Sequence, residues 1–124
     1  MRQFVLMGAI GAFLAVALGA FGAHALKTHL TAERLTTYQT GVQYHFLHSL
    51  GLMVLGCLIA QRPTERLLPR AGWFFAVGIV VFSGSLYALA LSGVRVLGAV
   101  TPLGGLCFLA GWACVVLAAI RLPK

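Results

Sequence analysis

A chain of 124 residues that is 60% hydrophobic and 9% charged, with a mean hydropathy of +0.97, carries more apolar surface than a water-soluble fold of that size can hide. The same numbers exclude disorder, a collagen-like chain and a nucleic-acid-binding tail, each of which needs polar or strongly biased sequence. The net charge of +7 sits at the ends of apolar runs, so it reads as topology determinants and contacts with membrane lipids, with no nucleic acid as partner.

From Phe4 to Ala23 there is no charged or strongly polar side chain, and a helix of those 20 residues at about 1.5 Å each matches a hydrocarbon core of about 30 Å. A first span over 4–23 is predicted. Arg2 and Ala23-His24-Ala25 would also suit a cleaved leader. Leader cores run only about 7 to 15 residues, which favours a retained helix.

Leu35, Tyr38 and Val42 recur at helical spacing, Thr31 suits an N-cap, and Glu33 suits the first turn. The reading is one helix from Ala32 to Gln61, its first two turns among the headgroups and its span over 40–60. Pro63 and Pro69 bound a basic loop and should keep it non-helical. A third span follows over 72–91, then a turn at Ser92-Gly93-Val94-Arg95. Thr101 and Pro102 read as an N-cap and an N1 proline opening a fourth span over 102–120. The expected fold is all-α, a single-domain integral membrane four-helix bundle over 1–124 with short loops.

With four spans the termini and the second loop share one side. Arg2, Arg62, Arg66, Arg70, Arg121 and Lys124 fall there, against Lys27, Arg34 and Arg95 opposite. This bias predicts both termini in the cytoplasm of a bacterium, with the chain in its inner (plasma) membrane and the mitochondrial inner membrane as the nearest alternative.

Small residues recur at alternating intervals of three and four in two helices: Gly8, Ala12, Ala15, Gly19 and Gly22 in the first, and Gly104, Cys107, Gly111, Cys114 and Ala118 in the fourth. That spacing marks seams of close helix approach. They serve either a tight monomeric bundle, the simpler reading, or self-association. The cysteines, Cys57, Cys107 and Cys114, lie in apolar stretches with no C-x-x-C pair and read as small buried side chains.

The orientation brings scattered polar residues to one depth. His24 ends the first helix on the outer side, Tyr44, His45 and His48 lie in the outer half of the second, Ser83, Ser85 and Tyr87 arrive on the third, and Thr101 enters on the fourth. His24, Tyr44, His48, Ser85, Tyr87 and Thr101 therefore form the candidate cluster. It suits either hydrogen-bonded packing or a ligand or proton site. No metal or other cofactor is expected. Both carboxylates sit in or near loops, the cysteines are mostly deeper, and a haem attachment motif is absent. The inner halves read as solid apolar helix, which disfavours a water-lined path, and no acid accompanies a serine and histidine in the membrane.

Gly19-Ala20-Phe21-Gly22-Ala23-His24-Ala25-Leu26, Thr40-Gly41 through Tyr44 to His48, Phe82-Ser83-Gly84-Ser85-Leu86-Tyr87, and Thr101-Pro102-Leu103-Gly104-Gly105 with Gly111-Trp112 together resemble the four-span membrane family called domain of unknown function 423. The likeness covers nearly the whole chain in order. His45 departs from the family pattern Tyr-Gln-x-x-His, leaving His24 and His48 as the histidines that fit. The resemblance implies a plasma-membrane location and four spans, and no established activity. The leading functional expectation is a non-enzymatic structural or accessory protein that assembles with itself or in a larger membrane complex. The alternative is a binder or transporter component for a small ligand or lipid headgroup, and a haem or metal protein comes last.

Overall fold

The computed structural model describes residues 1–123; Lys124, counted above among the inner-side basic residues, lies outside them. Four long helices and no strand are present among the described residues: α1 (Arg2–Leu26), α2 (Ala32–Gln61), α3 (Leu67–Ser92) and α4 (Arg95–Ile120). Each is long and apolar enough to cross a membrane. The helices run up and down in chain order. α1 packs along α2, α4 along α3, and α2 and α3 form the middle of the row.

α2 is unbroken over 30 residues, roughly 45 Å, and so outruns a hydrocarbon core of about 30 Å. The Thr31 side chain caps it by accepting from the Arg34 N–H at 3.2 Å. Arg34 then reaches across to α3, its Nε donating to the Ala90 carbonyl at 2.7 Å. That contact satisfies a carbonyl of the last helical turn, which has no partner within the helix. α3 stops at Gly93, whose φ of 73° is left-handed backbone that a side chain would strain.

Two expectations for helix starts are corrected. Pro69 does not hold the second loop open: α3 begins at Leu67, and Pro69 lies in its first turn, where no intrahelical N–H is required. Glu65 Oε1 takes the Leu67 N–H at 3.0 Å instead. Thr101 does not cap α4 either. A 3₁₀ turn over Arg95–Ala99 leads into the helix, so Thr101 is already helical and its hydroxyl turns toward the Leu97 carbonyl and Ser85.

Both small-residue seams are used inside the bundle. A Cβ on Gly8 would meet the backbone of Ser49 and the side chain of Met53, and one on Gly22 would enter the Tyr38 ring. Opposite, a Cβ on Gly104 would strike the Phe82 backbone, and one on Gly111 the Phe75 ring. Such approach matters because lipid tails are as apolar as the helices, so dispersion and hydrogen bonds must supply the association. The main apolar cluster includes Phe4, Leu52, Leu55, Leu68, Phe75 and Phe108. The outward surface is aliphatic and aromatic, with Phe13, Val80 and Ile120 each more than 70% exposed. The cysteines depart from the buried reading: Cys57 is exposed and Cys107 and Cys114 are half-buried, all three unpaired.

Candidate functional site

His48 lies at the centre of the bundle, 2% exposed, on the face of α2 that meets α3 and α4. Its ring stacks on Phe108 at 3.6 Å and 10° and meets the Phe75 edge at 5.1 Å. Nδ1 lies 2.9 Å from the Tyr44 carbonyl, and the Trp112 indole N–H donates to Nε2 at 3.0 Å. A carbonyl can only accept and an indole N–H can only donate. These partners fix the ring in its neutral form with the proton on Nδ1. A second proton would set N–H against N–H at Trp112, and a metal would find no free lone pair. His48 is therefore built to lock α2 to α4.

The remaining predicted residues do not join it in one set, which corrects the single-cluster expectation. Ser85 and Thr101 do meet, their hydroxyls 2.6 Å apart, with Ser85 also bonded to the Phe82 carbonyl at 2.8 Å. They tie α3 to the start of α4. Tyr87 turns toward α2, where its hydroxyl lies 2.9 Å from His45 Nδ1. Tyr44 contributes its carbonyl and its ring, which stacks near His48 and Phe82, while its hydroxyl makes no hydrogen bond among the described residues. His24 is exposed in a wide π-type turn over Gly22–Leu26 and bonds to none of the others.

Four contributors lie outside the six-residue candidate cluster. Trp112 falls in a stretch that reads as solid apolar helix, although its indole N–H marks it as a donor. His45 departs from the family pattern, yet it is 6% exposed and holds Tyr87. Tyr38, 1% exposed, donates to the Leu18 carbonyl at 2.6 Å and closes α1 onto α2. Ser83 donates to the Gly41 carbonyl at 2.8 Å from a π-type segment of α3 over Ile79–Ser83. That extra-wide turn carries Ser83 toward α2 and leaves Gly84 facing open space. No group of three or more metal-capable side chains gathers among the described residues.

A family model described as protein of unknown function (DUF423) matches residues 18–105. The UPF0382 membrane protein YwdK of Bacillus subtilis is 46% identical over 121 residues, covering 98% of each chain. A UPF0382 membrane protein of Staphylococcus epidermidis is 43% identical, again over 98% of both. The UPF0382 inner membrane protein YgdD of Escherichia coli is 45% identical over 124 residues, covering 99% of this chain and 93% of its own. No solved structure matches the chain.

Proposed function

We propose that this chain, which belongs to the DUF423 family of membrane proteins, is a non-enzymatic accessory protein: a preorganised four-helix unit that joins a larger membrane complex. The observation that carries this reading is the state of His48. This side chain, 2% exposed, has both ring nitrogens engaged by groups that fix its proton. A residue held that way positions helices; it neither exchanges protons nor coordinates. Ser85, Thr101, Ser83 and Tyr38 are likewise engaged in bonds between or along helices.

Because the small-residue seams are filled within the protomer, a partner meets larger side chains such as Phe13, Trp73 and Leu109. We place the protein in a bacterial inner membrane with both termini cytoplasmic. Arg2, Arg62, Arg66, Arg70 and Arg121 at one end outnumber Lys27, Arg34 and Arg95 at the other. The names of the Bacillus and Escherichia relatives support the membrane assignment. Photo-crosslinking residues placed at 13, 73 and 109 test the role in native membranes. Transfer from one face to a protein of constant mass is expected; lipid adducts alone at all three positions would overturn it.

A further inference from the structure

One polar pair is not closed. A groove of about 460 Å³ opens between α1 and α3, beside the His48 face of α2. Ile10, Leu14, Ile79 and Val80 form its apolar walls, and His45 and Tyr87 form a polar floor. The size falls within the range of small-molecule sites, which combine apolar walls with a few placed polar groups. The floor lies in the outer part of the span. Tyr87 is five residues, about 8 Å, from the end of α3, and His45 is 13 residues, roughly 20 Å, from the start of α2.

Proton counting gives the chemistry of the floor. Tyr87 O–H and the neutral His45 ring bring two protons, and their 2.9 Å bond uses one. If the phenol donates, His45 Nε2–H is left over; if the ring donates, the phenol O–H is left over. Either arrangement presents one donor, and His45 Nε2 has no other hydrogen-bond partner among the described residues. Ser49, one turn along α2 and fully buried, is the only buried side-chain polar atom without a partner among the described residues. Its hydroxyl and His45 Nε2 both border the space that a Cβ on Gly11 would fill, and Gly11 lines the groove. The unmet demand is for an acceptor oxygen carried on an apolar body that fits between the α1 and α3 walls.

We propose that this groove binds a lipid-soluble ring carbonyl compound of the prenylated quinone class. The carbonyl oxygen accepts the spare proton of the His45–Tyr87 pair, the ring lies between the α1 and α3 walls, and the prenyl tail leaves through the lateral opening. Binding alone is proposed, with no electron transfer, and it stands apart from the accessory role above.

The probes are short-chain ubiquinone and menaquinone analogues, with dodecane as an apolar control, measured by native mass spectrometry and thermal shift on the detergent-purified protein. One saturable quinone per chain is expected. Gly84 lines the groove and a Cβ there meets nothing within 4 Å, so Gly84→Leu should fold normally and abolish binding. His45→Leu should weaken binding about tenfold, and His45→Gln, whose amide restores a donor, should recover most of it. Circular dichroism confirms the fold of each variant. Absence of saturable quinone binding would overturn the proposal. So would equal binding of dodecane, or quinone binding unchanged in folded Gly84→Leu.

Discussion

The bond between His48 and Trp112 joins α2 to α4 across the centre of the bundle, and a double-mutant cycle measures it. His48→Leu removes the acceptor for the Trp112 N–H and the flat stack on Phe108. Hydrogen bonds between membrane helices average about 0.6 kcal/mol and reach about 1.7. An aromatic stack adds about 0.5–1.5 kcal/mol, part of which leucine keeps as apolar contact. The expected loss for His48→Leu is therefore about 1–2.5 kcal/mol. Trp112→Phe should cost about 0.6–1.7 kcal/mol, since it leaves Nε2 unpartnered in a site only 2% exposed. Because either change breaks the same bond, the double variant should lose less than the sum, by about 0.6–1.7 kcal/mol. Reversible unfolding in mixed micelles, followed by far-ultraviolet circular dichroism, provides the free energies. Cys57→Ala serves as the control, since Cys57 is exposed and unpaired, and it should change stability little. Full additivity, or a His48→Leu variant as stable as Cys57→Ala, would refute the locking role.

Tyr44→Phe keeps the carbonyl and the ring that matter to His48, so it should alter stability by less than about 0.5 kcal/mol in the same assay. Gly104→Ala would press a methyl into the Phe82 backbone and should destabilise by about 1–3 kcal/mol, whereas Gly84→Ala meets nothing and should be neutral or slightly stabilising in the same measurement. Thr101→Val removes the Ser85 partner and should lower the unfolding free energy by about 0.6 kcal/mol, and adding Ser85→Ala should cost less than it does alone, since only its bond to the Phe82 carbonyl is then left to lose. A cytoplasm-active reporter fused after residue 123 should be active and a periplasm-active one silent, and the opposite pattern would reverse the membrane orientation.

The four helices, the long second one and the seams were legible in the sequence because each is a local property. An uninterrupted apolar run, a Thr31 cap followed by Glu33, or glycine recurring every three or four residues acts within one helix and leaves its mark there. Partner choice has no such mark. His48 and Tyr44 share a helix face, yet the Tyr44 hydroxyl stays out of the bond while Trp112, 64 residues away, enters it. The rotation of each helix about its axis decides this. A turn of 100° moves a side chain from the bundle centre to lipid, and small changes such as the wide turns at Gly22–Leu26 and Ile79–Ser83 shift that rotation part-way along. Depth, which the sequence does report, puts Ser85 beside Thr101, where the two hydroxyls meet, but it also gathers His24 into the cluster, whereas the structure leaves His24 exposed and unbonded to the others. Only the packed structure decided that His48 is closed on both nitrogens and that His45, Tyr87 and Ser49 are not. That difference depends on which helices stand beside α2 on each face, a relation that no stretch of the chain encodes by itself.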